Sequence, residues 1–281
     1  MFDKIDRRII FLFVAVSLSL PVALGISLRP ARMKTSQAFY EVVSSLKADD
    51  FVLVAVDWEP GTKAENEPQT AVIIEHLLRK RIKFALTTLT PLAVPTMEQL
   101  PLRVIELLRK ELPEQNWNYG KDWVNLGYLA GGSVSIQNIA KTKSIKTLIK
   151  TDSKSNPLED LSAFNGIDSI NDIDVLAEFT GSVGALSLWI QFFSGPKLVH
   201  GCTSISIPDA FNFFASGQLQ GLLEGVAGAA YYEYLLKSEF KNRSDKNIAI
   251  PINSGLSFAQ LGVFAFILLG NLGFVGRFFS K

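Results

Sequence analysis

Carboxylates, hydroxyls and glycines gather where apolar runs end, and that placement decides what chemistry the chain could carry. Asp57, Glu59, Glu65 and Glu67 follow one such run closely, and clustered carboxylates bind hard cations or act as general acids and bases. Their spacing is not that of a calcium loop, so the simpler expectation is a solvated connection that caps the next helix. Gly131-Gly132-Ser133 and Gly181-Ser182-Val183-Gly184 each lead from a predicted strand into a predicted helix, where backbone N–H groups can hold an anion. Neither is a GxGxxG or a P-loop, and tight turns account for both equally well. His200 and Cys202 share a strand face, a spacing that does not bring an imidazole onto a sulfur, so both are expected in the core. Asp172-x-Asp174 imitates a metal and nucleotide-sugar motif but opens a strand, the wrong end of a parallel sheet for a ligand. There is no GxSxG, HExxH, CxxC or Walker pattern, so the sequence names no reaction and implies neither cofactor nor metal.

The elements that position these residues alternate. FVLVAV, residues 51–56, is a continuous apolar run of strand length ending at Asp57, the pattern of a strand buried on both faces. Pro68 is expected in the first turn of a helix whose apolar face is Ala71, Ile74, Leu77 and Leu78 and whose end carries Arg79, Lys80 and Arg81. The unit repeats with a strand at 82–86 and a helix at 97–112. Further strands are expected at 123–129, 174–179 and 197–204, with helices at 134–140 and 185–193 and one long helical stretch over 209–241. Residues 141–172 carry poor signals and are expected as an excursion packed on the core. The pattern predicts a mostly parallel, Rossmann-like, three-layer α/β domain over 29–241. A ligand site in that architecture lies beyond the carboxyl ends of the strands, which here supply Asp57, Glu59, Thr87, Gly131, Gly132, Thr180, Gly181 and Ser182.

The domain is flanked by two runs, 9–28 and 256–276, free of charged residues and each about twenty residues long, the length that crosses a hydrocarbon core. Both are expected to be transmembrane helices, the first an uncleaved anchor kinked at Pro21. Short tails, 1–8 and 277–281, lie outside them, and 242–255 reads as a polar linker. Lys4, Arg7 and Arg8 precede the first run while Arg29, Arg32 and Lys34 follow it. Because the first span usually dominates and long domains translocate largely regardless of charge, the expected orientation places both termini in the cytoplasm and the domain outside an inner membrane, with a cytoplasmic domain as the alternative.

Ala15, Ser19, Ala23 and Ser27 recur every four residues in the first run, a small-residue stripe that lets another helix approach closely. In the second, Gly262, Gly270 and Gly273 share one broad side with Gly255, Ala259 and Gly276, while Gln260 and Asn271 fall together on another. Amides in hydrocarbon need partners. Either the two spans pack on each other or they meet other membrane helices. Lys plus Arg number 28 against 27 for Asp plus Glu in 281 residues, so no basic surplus points to nucleic acid. Cys202 alone excludes an internal disulfide.

The runs VDWEPGTKAENEPQTAVIIEHLLRKRIKF, KDWVNLGYLAGG, IDVLAEFTG and GCTSISIPDAFNFFASGQLQGLLEGVAGAAYYEYL, in that order and spacing, resemble a family of prokaryotic membrane-anchored α/β proteins with no assigned activity. The resemblance covers the chain from the first span to about Leu235 and implies the fold and the double anchor, with no catalytic residue to carry over. The expected function is a non-enzymatic subunit of a larger membrane assembly, partnered by other integral membrane proteins or a second copy and by the bilayer. The alternatives are a membrane-anchored ligand-binding sensor using the strand ends, and a tethered hydrolase or transferase using Asp57 or Glu59.

Overall fold

The computed structural model of the chain describes residues 6–244 and 248–279, with side chains placed through Leu272. Two compact units result: Arg32–Arg243, and the terminal segments Met1–Ala31 with Ser244–Lys281. The terminal unit holds α1 (Arg7–Leu24) and α10 (Ala249–Phe279). The other unit contains α2 (Lys34–Ser44), α3 (Lys63–Lys80), α4 (Val94–Glu111), α5 (Ser133–Lys141), α6 (Ile145–Leu148), α7 (Val183–Phe192), α8 (Ile207–Ala215) and α9 (Gly225–Glu239).

Six strands, β1 (Phe51–Val56), β2 (Lys83–Thr88), β3 (Trp123–Tyr128), β4 (Val175–Thr180), β5 (Lys197–Cys202) and β6 (Gly221–Glu224), form one all-parallel sheet in the order β3-β2-β1-β4-β5-β6. The order reverses between β1 and β4, as in a doubly wound sheet. Every residue of β1 and β4 is buried, which their near-continuous apolar sequences permit; each buried Val or Leu contributes about 1.5–3 kcal/mol. One face is covered by α2, α3, α4 and α9 through Phe39, Ile73, Val104 and Tyr232. The other is covered by α5 to α8 and by the 141–172 excursion, which sends Leu158, Phe164, Ile167 and Ile170 into the core. The register sets Ala55 beside Thr87 and Glu178, and Glu178 beside His200. A parallel sheet aligns such neighbours on one face, so one row across the centre carries Thr87, Ala55, Glu178 and His200.

Two expectations are corrected here. The stretch 209–241 is α8, then β6, then α9, so the sheet has a sixth strand. Gly221 is in β6, where a Cβ would lie 2.3 Å from Phe39 Cα, and Gly225 turns the chain at φ 56°. Short apolar runs between glycines look alike as helix or strand, and the close approach of α2 decides for strand. The helix expected to carry Pro68 in its first turn begins at Lys63, so Pro68 lies in its second turn and forgoes one backbone hydrogen bond.

In the terminal unit α1 stops at Leu24, earlier than residue 28, because Gly25 takes a left-handed conformation (φ 64°) and its N–H reaches Pro21 and Val22 carbonyls. The second helix begins within the expected linker, at Ala249, with Pro251 in its first turn, where a missing N–H costs nothing. Both helices are long and apolar enough to cross a membrane; eighteen residues of α1 extend about 27 Å against a hydrocarbon core of about 30 Å. Among residues 7–24, Pro21 alone is buried, so α1 is not an interior helix of its unit. Lys4 lies outside the described residues, as do the surroundings of Gly273 and Gly276.

Candidate functional site

The carboxyl ends of the central strands carry a polar cluster that the fold encloses. Asp57 follows β1 on the face covered by α7 and is 7% exposed. Its Oδ1 accepts from Leu89 N (2.5 Å) and Thr88 Oγ1 (3.2 Å), and its Oδ2 from Trp189 Nε1 (2.7 Å). Burial, then the neighbouring Glu178 charge, pushes the Asp57 carboxyl up to about 7, against the pull of those three donors. Glu178 is fully buried, and no aligned hydrogen bond reaches either carboxylate oxygen. His200 Nδ1 touches Glu178 Oε2 and lies 3.2 Å from the Glu178 carbonyl oxygen. Burial holds the Glu178 carboxyl well above its usual range and the His200 imidazole down to about 3. Burial thus disfavours charge on Glu178 and on His200 alike, next to an aspartate held near 7. Paired carboxyls with separated acidities are the raw material of acid–base catalysis; here Trp189 and its helix close over them.

The opposite face of the same strand ends is plugged by amides. Gln69 Nε2 donates to the carbonyls of Cys202 (2.8 Å), Gly225 (2.9 Å) and Leu223 (3.2 Å). Asn66 Nδ2 donates to Gln69 Oε1 (3.0 Å) and to Gly201 O (3.3 Å). Gly201 makes room for this: a Cβ there would lie 2.5 Å from the Phe179 ring and 2.7 Å from Gln69 Oε1.

The residues picked out from the sequence separate accordingly. Thr87 is buried, with Oγ1 3.4 Å from Gly127 O, and Thr180 Oγ1 donates to Asp57 O at 2.8 Å. Gly181 packs against Thr62, to whose methyl a Cβ would come within 2.6 Å, so the loops after β1 and β4 meet across the point where strand order reverses. Glu59 and Ser182 are exposed beside them. Glu65 and Glu67 lie inside α3, Glu65 accepting from Ser204 N (2.8 Å) and Glu67 pairing with Arg103 (2.8 Å). Asp174 Oδ2 accepts from Phe51 N at the amino end of the sheet, and Asp172 caps a short turn. His200 and Cys202 are both in the core, and burial pushes the Cys202 thiol up to about 12. Gly131 and Gly132 stand apart, at the edge strand, with positive φ of 107° and 55°, beside an open cleft lined by Ser135 and Asn138. Glu178, Gln69 and Asn66 are polar residues that the sequence reading passed over. The available signal for Glu178 was one acid inside the apolar run VLAEFT.

In the terminal unit the small residues of the two helices do different things. Gly255 lies on the α1 backbone, where a Cβ would be 2.9 Å from Leu18 O, and Gly262 lies under the Phe13 ring. Phe13 meets Phe266 edge-on at 5.4 Å, and Leu28 N donates to Ser254 Oγ at 3.0 Å. The small side of α10 is thus taken up by α1 through this stretch, while Gly270 has open space around it. Ala15, Ser19 and Ala23 are exposed on α1. Gln260 and Asn271 are exposed on α10; Asn271 Nδ2 donates to Ile267 O (2.8 Å), and Gln260 has no partner among the described residues. No family model, curated protein or solved structure matches this chain.

Proposed function

We propose that this chain is a non-enzymatic integral-membrane subunit of a larger membrane assembly. Its two terminal helices cross an inner membrane as a packed pair, and its Rossmann-like α/β unit serves as an interaction domain outside the cytoplasm. The reading is carried by Gln260 and Asn271, two amides exposed on a helix whose other exposed side chains include Leu261, Phe264, Ile267, Leu268 and Leu272. In hydrocarbon an unpartnered amide costs several kcal/mol, about 1–3 by the gentler protein scales; a partner helix with a polar group removes that cost. The exposed stripe of Ala15, Ser19 and Ala23 offers a close approach on α1. The buried disposition of Asp57, Glu178 and His200 favours a structural role for the carboxyl ends over turnover. The resemblance of the sequence to membrane-anchored α/β proteins is in keeping with this.

Isolation from native membranes in a mild detergent tests it. The wild-type chain is expected in a particle well above its 31.0 kDa mass, together with other integral membrane proteins or further copies. The Gln260→Leu/Asn271→Leu variant is expected to leave that particle while keeping its α/β unit folded. Recovery of both as monomers, or of both in the same particle, would refute the reading.

A further inference from the structure

Among the described residues, two clefts of the α/β unit differ in the chemistry of their walls. One, of about 400 Å³, lies at the carboxyl ends of α3, α4 and α9, lined by Arg79, Gln115, Glu239 and Phe240 among others. Two of its three charged side chains are already committed, Arg79 to Glu75 and Glu111 and Glu239 to Tyr40, and Lys241 is exposed at its edge. The other, of about 300 Å³, lies beside the carboxyl end of β3. Its floor is Leu126, Leu129, Ile139 and Ile149, and its rim is Tyr128, Ser135, Asn138 and Thr151.

Two features of the second cleft define what fits it. First, the four floor residues also line a small void of about 10 Å³ that continues into the core against Phe51, Leu53 and Phe164. The apolar wall therefore extends inward, and a void of that size and lining stays dry. Second, the rim is polar and, Ser135 apart, free of commitments within the described residues. The side chains of Tyr128, Asn138 and Thr151 have no hydrogen-bond partner among the described residues, while Ser135 Oγ donates to Ala130 O.

The charge around that rim is one-sided. Lys150 sits between the lining residues Ile149 and Thr151, and Lys141 lies one turn beyond Asn138 on α5. Lys141, Lys143 and Lys150 are exposed and have no ion pair among the described residues, whereas Lys146 pairs with Asp168 at 3.3 Å. Asp152 is the only carboxylate in residues 141–154. Its oxygens are taken by Tyr119 Oη (2.7 Å), Lys154 N (2.8 Å) and Asn156 N and Nδ2 (2.9 and 3.0 Å). An apolar floor, a hydrogen-bonding rim and uncompensated positive charge at the mouth select a molecule with the same three parts.

We propose that this cleft binds a single-chain amphiphile with an anionic headgroup, of the kind of a medium-chain fatty acid. Its alkyl chain lies over Leu126, Leu129, Ile139 and Ile149, and its carboxylate sits at the rim near Asn138, Thr151 and Lys150. This does not depend on the terminal helices meeting a partner, because the cleft belongs wholly to the α/β unit.

The test uses the full chain in nanodiscs of zwitterionic phosphatidylcholine and a photoreactive octanoate with its diazirine near the chain end. After irradiation, the label is mapped by peptide mass spectrometry. Label is expected on residues 126–151 and is expected to be competed by octanoate about tenfold better than by octanol. Asn138→Trp, on an exposed position at the rim, is expected to cut that labelling about tenfold by filling the cleft. Lys141→Glu/Lys150→Glu, which alters exposed side chains alone, is expected to cut it about fivefold. Label confined to α1 and α10, octanol competing as well as octanoate, or labelling indifferent to both variants would overturn the proposal. None of these outcomes bears on whether the chain assembles with partners.

Discussion

In the α/β unit a buried amide, Gln69, meets three backbone carbonyls; on α10 an amide of the same chemistry, Gln260, meets none among the described residues. The α/β unit turns many polar side chains inward and binds them there: Asp57 on Trp189, Thr88 and Leu89, Asn66 Nδ2 on Gln69 and Gly201, Arg243 on Glu75 and Glu233. The terminal pair spends its glycines on its own packing and turns its amides outward. Polar groups at strand ends, where sites belong in this architecture, have been used to close the sheet. On α10 the Gln260 amide is left without a partner among the described residues, and Asn271 meets only its own helix through Ile267 O; that difference is the reason for placing recognition in the terminal unit.

Four perturbations would break or sharpen this contrast. The largest effect is expected at Arg243, whose guanidinium binds Glu75 bidentately (2.8 and 2.9 Å) and Glu233 (3.0 Å) while almost fully enclosed. Arg243→Ala removes the enclosed cation that joins Glu75 to the buried Glu233 and should cost about 3–5 kcal/mol, read by urea unfolding of the full chain in nanodiscs. Next comes Gln69→Leu, which leaves three strand-end carbonyls without their donor. A loss of about 3 kcal/mol is expected in the same assay, and a loss below about 1 kcal/mol would mean that the plug is replaceable by water.

The third perturbation is pH. Asp57 has a folded-state value of about 7, above the aspartate value of about 4 that the unfolded chain shows. Its contribution is therefore fully present below about pH 4 and lost as pH rises through 7. His200, held at about 3, works in the other direction: its contribution is present above about pH 6.5 and lost as pH falls towards 3. Acidifying from pH 7 to 5 should make His200→Gln more stable and Asp57→Asn less stable, each by about 1–2 kcal/mol relative to wild type. Thermal melts at the two pH values check it, and parallel slopes for the two variants would show that the cluster does not titrate as its burial implies.

The smallest effect is expected from Gln260→Leu/Asn271→Leu on the unfolding of the α/β unit. Surface changes away from that core should fall within about 0.5 kcal/mol. A larger shift would mean that the two units share stability, and the contrast would lose its basis.

Much of the architecture was legible in the residues. Residues 51–56 read as a buried strand because both faces are apolar, and the strand expected at 123–129 is found at Trp123–Tyr128, with Pro and Gly marking turns along the chain. The sixth strand was not legible, because GLLE between glycines has no period long enough to separate strand from helix. The start of α10 was hidden for a related reason: Pro251, Asn253 and Gly255 look like a linker, yet a first-turn proline and a glycine under a crossing helix both belong in a helix. Among the candidate site residues, Asp57 was visible as the acid ending β1, but its enclosure depends on Trp189, more than a hundred residues away. Glu178 and Gln69 gain their meaning from neighbours in register, which no local spacing encodes. Gln260 and Asn271, by contrast, were readable from helical periodicity alone, and both are exposed on α10.

The central claim, that the outward side of the terminal pair meets other protein within the membrane, is tested most directly by site-specific photocrosslinking in native membranes. A photoreactive side chain is placed at Ser19 or Gln260 on the exposed side, and at Ser17 as a control on the side where α1 meets Gly255. The account predicts discrete higher-mass adducts from positions 19 and 260 and only intramolecular linkage to α10 from position 17. Lipid adducts alone from positions 19 and 260, with the chain remaining monomeric, would contradict it.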